Sequence, residues 1–214
     1  MQSLFSPDSK IMQSLTGLAD LMILNILFVV TCIPIFTIGA ASSALYTVVF
    51  RMQRQEEGGI FRTYFRAFRE NFRQGTAIWL ILLPLFAVGC INLIWCSAQE
   101  GTLSFILLLM TILVLAVLVL IFSYVFPLQS QFRNPVKLTL SNAFLLSIAH
   151  LPRSLVIAVV NLLPLGMAYV NLYAFMQTSL LWLFMYFAGS AFLNALLLRK
   201  VFQPYMPAPA AEEL

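Results

Sequence analysis

Polar positions are sparse along this chain, and the long apolar stretches between them predict the main elements. No charge falls between Asp20 and Arg51. A bilayer core takes about 20 helical residues, so this stretch is too long for one straight span. Pro34 and Gly39 interrupt it. The pattern predicts a first span over 18–38 and a second helical piece over 40–54, whose start (Ala40, Ala41, Ser42, Ser43, Ala44) is small-sided and permits close helix contact. A second parse has 18–34 crossing and 38–51 returning, which gives six crossings instead of five and moves the N-terminus to the other side. Further spans are predicted over 75–96, 103–126 (ended by Pro127), 153–172 and 178–198 (stopped by Arg199 and Lys200). The expected fold is all-α, a polytopic transmembrane bundle of about five spans with cytoplasmic amphipathic helices. Residues 1–203 form one domain and 204–214 a short flexible tail.

Three polar segments carry structure of their own. Ser6-Pro7-Asp8 reads as a helix start leading into a short amphipathic segment. After Gly58-Gly59 comes IFRTYFRAFRENFR, residues 60–73. At helical spacing, Phe61, Phe65, Phe68 and Phe72 share one arc, and Arg62, Arg66, Arg69 and Arg73 share an adjoining one. This predicts an interfacial helix with rings in the acyl boundary and guanidinium groups at phosphate level, or a docking surface for a cytoplasmic partner. Lys137 to Leu151 reads as a helix with Leu140, Phe144, Ile148 and Leu151 on one side and Pro152 at its end.

Composition agrees with the pattern. Of 214 residues, 61% are hydrophobic and 9% charged, whereas soluble domains carry roughly a quarter charged residues. The net charge of +4 flanks apolar spans, so anionic lipid headgroups rather than nucleic acid are the expected electrostatic partner. With five spans, eleven of the twelve basic residues lie on one side and only Lys10 on the other. The positive-inside rule makes the eleven-residue side cytoplasmic, with the N-terminus outside and the C-terminus inside. No cleavable signal peptide is evident.

Candidate chemistry is thin. Cys32, Cys90 and Cys96 sit in or beside apolar runs without metal-ligand spacing, and His150 has no nearby Cys or carboxylate. No metal and no cofactor is expected. No HExxH, G-x-S-x-G, P-loop or Rossmann fingerprint appears, and the chain is not expected to be an enzyme. Apart from the cysteines, the polar groups well inside the spans are neutral. Asn25, Asn92, Asn161 and Asn194 are the candidate intramembrane contacts. Such amides serve as helix–helix glue or, with Tyr124, Trp182 and Tyr186, could bind a neutral sugar.

Three pieces in order, LADLMILNILFVVTCIPIFTIGAASSALYTVVFRMQRQEEG (18–58), FRTYFRAFRENFRQGTAIWLILL (61–83) and LSNAFLLSIAHLPRSL (140–155), resemble the YesL-like family of bacterial integral membrane proteins, a domain of unknown function. Ala40 departs from the proline expected there in many members. The resemblance implies a bacterial cell membrane location and an association with carbohydrate utilisation and ABC-type sugar uptake systems. It implies no catalytic residues. Helix 137–151 with Pro152 is also similar to the coupling loop of ABC permeases, although the acidic start of that motif is absent. The expectation is a non-catalytic accessory of an oligosaccharide uptake system, acting through its cytoplasmic helices and contacting an ABC sugar transporter subunit. The alternative is a permease-like subunit that binds a neutral sugar within the bundle.

Overall fold

A computed structural model describes residues 10–56 and 58–205. The expected helix start at Ser6-Pro7-Asp8, Glu57 and the tail from 206 onward lie outside the described residues. Among those described there is no strand. The helices are α1 (Lys10–Cys32), α2 (Ile38–Gln53), α3 (Ile60–Ser97), α4 (Thr102–Gln131), α5 (Val136–Ala149), α6 (Leu151–Val170), α7 (Leu172–Gln177), α8 (Ser179–Leu181) and α9 (Phe187–Phe202). A 3-10 turn over Ile35–Thr37 joins α1 to α2, and a π-helical segment over Trp182–Tyr186 joins α8 to α9.

Six helices are long and apolar enough to cross a membrane, so the chain is an all-α polytopic bundle. That is one more than the five-span parse, and the additional one is Ile35–Gln53. It differs from the other five in its surroundings. Every residue from Gly39 to Tyr46 is buried in protein, whereas the large side chains in the first half of α4 mostly face outward, among them Leu103, Met110 and Leu113.

The longest helix is α3, with 38 residues, or about 57 Å at 1.5 Å per residue. A hydrocarbon core of roughly 30 Å accommodates about half of it. Its charges (Arg62, Arg66, Arg69, Glu70, Arg73) all lie in the first half. The second half pairs antiparallel with α4, through Asn92 against Thr111 and Gly89 against Leu115. The first half pairs antiparallel with α2. Gly39 stacks on the Gly75 carbonyl, and at the far end of α2 Arg51 comes up to Gly58. A Cβ on Gly75 would stand 2.8 Å from the Ala40 nitrogen, so this crossing requires glycine on both helices. The last full turn of α1 also reaches this half, where the Thr31 hydroxyl lies 2.6 Å from the Tyr64 hydroxyl.

One end of the bundle therefore collects the basic residues. Phe50 of α2 and Phe132, just past α4, both pack on Phe202 at the end of α9, close to Arg133, Arg199 and Lys200 in sequence. We call this the basic end. All of α2 lies beside the charged half of α3.

Three local expectations are corrected. Residues 60–73 are not a separate interfacial helix but the first turns of α3, continuous with the 75–96 span. Pro127 does not end α4, which continues to Gln131 with Tyr124, Val125, Phe126 and Leu128 fully packed around the proline; that burial outweighs the lost backbone bond. Pro152 does not close α5 but sits in the first turn of α6, where its missing N–H is not needed.

Candidate functional site

The arginine segment is a surface braced from behind. Tyr64, Ala67 and Gly75 line its inner stripe and are buried. The Tyr64 ring stacks on Phe68, and Phe68 meets Phe72 edge-on at 5.6 Å. Arg62, Arg66, Arg69 and Arg73 are all exposed. No carboxylate among the described residues pairs with them; the ion pairs at this end are Arg51 and Arg54 with Glu56. Phe61, Phe65 and Phe72 are exposed as well, while Phe68 turns inward and packs on the core. The four phenylalanines therefore do not form one face. Three present apolar surface beside the guanidinium groups, and one anchors the helix.

On α5 the expected apolar side is divided, with Leu140 packed on the core. Thr139, Ala143 and Ser147 are the buried positions, while Phe144, Ile148 and Leu151 are exposed. Leu140 and Leu146 pack on the core beside these small residues, and Phe144, Leu145 and Ile148 form the outward apolar side. This helix adds a greasy surface to the basic end.

The four asparagines fall in three separate places. Asn25 is fully buried in α1 and serves the π segment. Its Nδ2 donates to the Leu183 carbonyl at 2.6 Å and the Trp182 carbonyl at 3.2 Å, and its Oδ1 accepts from the Ala188 N–H at 2.8 Å. A π turn displaces the ordinary helical bonds, and this amide takes up the groups so released. Asn92 donates to Thr111 Oγ1 at 2.7 Å and ties α3 to α4. Asn161 and Asn194 are brought together: Asn194 Nδ2 donates to Asn161 Oδ1 at 2.8 Å and to the Tyr46 hydroxyl at 3.4 Å, and Asn161 Nδ2 donates to Ser123 Oγ at 3.1 Å. This network joins α2, α4, α6 and α9. Of the aromatic candidates, Tyr186 donates to the Val160 carbonyl, Tyr124 accepts from Ser154 at 2.8 Å and Trp182 Nε1 donates to Thr178 Oγ1 at 3.0 Å.

Beside the Asn161–Asn194 pair lies a cavity of about 430 Å³ between α1, α2, α4, α6 and α9. Phe28, Ile38, Leu45, Phe122, Phe126 and Phe187 dominate its wall. Its polar groups are few, among them Ser42, Tyr46 and Asn161. Such a wall suits an apolar chain better than a sugar, whose hydroxyls would be left unpaired.

A second cavity, of about 560 Å³, opens at the basic end, and its wall is polar. Sequence reading passed over its residues because they come from three segments far apart in the chain, Thr47, 67–74 and 129–134. One signal pointed there. Asn71 and Gln74 interrupt the arginine pattern on the helix face away from it, at the same helical spacing as Tyr64 and Ala67.

Among the described residues no three His, Cys, Asp or Glu side chains cluster as a metal site. Cys32, Cys90 and Cys96 are all unpaired thiols.

A family model described as "Protein of unknown function, DUF624" matches residues 21–96, the stretch from α1 through α2 to the end of α3. No curated protein matches the chain, and no solved structure does.

Proposed function

We propose that this protein is a non-catalytic accessory component of a bacterial carbohydrate uptake system, related to the YesL-like proteins, and that it works through its basic end. The single observation that supports this best is the exposed Arg62, Arg66, Arg69 and Arg73 on a helix half whose opposite side is locked to α2. A helix meant only to hold the protein in the bilayer has no need of that brace. The adjoining Phe61, Phe65 and Phe72 and the outward apolar side of α5 supply what partner interfaces combine, apolar area with arginine. Anionic headgroups contact the same rim.

In this reading the membrane is crossed five times, by α1, the second half of α3, α4, α6 and α8–α9. The N-terminus is outside and the basic end cytoplasmic. The contact of Thr31 with Tyr64 favours it, because α1 then ends at the level of the arginines and α2 runs beside them without recrossing.

Changing Arg62, Arg66, Arg69 and Arg73 together to Glu is expected to abolish co-purification of the transporter partner from native membranes while insertion and yield stay unchanged. Undiminished co-purification overturns the role of this face. The second reading, a permease-like subunit binding a neutral sugar within the bundle, has the Asn161–Asn194 pair in its favour and the apolar wall beside that pair against it. Sugar flux in proteoliposomes holding this protein alone would favour it.

A further inference from the structure

The polar cavity at the basic end lies behind the exposed arginines, between α2, the first half of α3 and the end of α4. Its volume falls within the roughly 300–1,000 Å³ usual for small-molecule sites. The wall is built from carboxamides, Asn71, Gln74, Gln129, Gln131 and Asn134, with the Thr47 hydroxyl among them. Each carboxamide carries both an acceptor and two N–H donors.

Several of these groups are left half used. Asn71 Nδ2 donates to the Ala67 carbonyl at 2.9 Å, and Gln74 Nε2 donates to the Asn134 carbonyl. The acceptor oxygens Asn71 Oδ1 and Gln74 Oε1 have no partner among the described residues, and neither does the side-chain amide of Asn134. Gln129 is 5% exposed. Its Oε1 accepts from Ser43 Oγ at 2.9 Å, while its buried Nε2 has no acceptor. A buried polar group without a partner costs about 1–3 kcal/mol, which applies to Gln129 Nε2; with the half-buried Asn71, Gln74 and Asn134 beside it, the wall offers spare donors and acceptors to a ligand that supplies both.

Charge narrows the ligand. Glu70 and Arg133 both line the cavity and cancel. One arginine beside a carboxylate is a poor anion site, since phosphate recognition relies on surplus cationic donors. An apolar ligand would strand the amides. A hydroxyl, donor and acceptor at once, fits each carboxamide, and Phe132 adds one apolar surface.

We propose that this cavity binds a small uncharged polyhydroxylated ligand of mono- or disaccharide size. The proposal draws on the cavity wall alone and stands whether or not the arginine face docks a partner. Its test uses the full-length protein in nanodiscs, titrated calorimetrically with a panel of uncharged mono- and disaccharides and with inorganic phosphate. At least one sugar is expected to bind saturably with Kd at or below about 1 mM. The double change Asn71→Ala, Gln74→Ala is expected to weaken it at least about tenfold. Asn134→Ala removes an amide that the fold does not use, and is expected to weaken binding about threefold or more at unchanged thermal stability. The proposal is overturned if no sugar binds saturably, if phosphate binds more tightly than every sugar, or if Asn134→Ala and any folded Asn71/Gln74 variant bind as wild type.

Discussion

Two helical segments of this molecule, α2 with the turn before it (Ile35–Gln53) and α4, are both long and apolar enough to cross a membrane and are used in opposite ways. The apolar window of α4 has a mean hydropathy of 3.4 and is 11% buried in protein; that of α2 reaches 1.4 and is 67% buried. The more apolar helix is the more exposed one. In water this would be inverted, because burial there follows apolar area. In a bilayer the lipid is as apolar as leucine, so large side chains gain little by turning inward, and close packing falls to small ones. Leu103, Met110 and Leu113 accordingly face out, and Gly39 to Ala44 face protein. High hydropathy marks lipid contact here, and a run of small residues marks the core.

The comparison can be broken most severely at the glycine crossing. Gly75→Leu would drive a side chain into the Ala40 backbone. It is expected to destabilise the protein by about 3 kcal/mol or more, seen as a large fall in detergent thermal stability and in folded yield. A folded, stable variant would mean that α2 is not packed against α3 as described.

A smaller effect belongs to the polar bond between the two helices themselves. Ser43 of α2 donates to Gln129 of α4, and Ser43→Ala leaves that buried amide with neither end paired. A loss of about 1–2 kcal/mol is expected, measured by equilibrium unfolding in mild detergent. No change would show that water already reaches Gln129. The smallest effect is expected on the outward side of α4. Leu113→Ala should change stability by less than about 0.5 kcal/mol. A loss several times larger would reveal that another protein surface, and not lipid, covers that side.

Much of this was legible in the sequence. The uncharged runs located the spans, and Ala40 to Ala44 announced a close contact. What was missed depended on tertiary neighbours. Phe68 has the same periodicity as Phe61, Phe65 and Phe72, and only its packing against the buried core sets it apart. The pattern set Leu140, Phe144, Ile148 and Leu151 on one side of the 137–151 helix, and only the fold shows that Leu140 packs inward while the other three are exposed. Continuity of α3 through Gln74 and Gly75 was hidden because the change from charged to apolar sequence looks like a boundary, although no backbone feature ends the helix there. Sequence could not show that Asn161 and Asn194 meet while Asn25 and Asn92 stand apart.

The central claim is that α2 lies beside the charged half of α3 without recrossing the membrane. It is tested most directly in a background free of native cysteine, with single cysteines introduced as Ser3→Cys and Gln55→Cys and probed with a membrane-impermeant maleimide. In intact cells the cysteine at position 3 should label and the one at position 55 should not, until the membrane is permeabilised. Both positions behaving alike, labelled together or protected together, would place the two ends of the α1–α2 segment on one side and contradict the account.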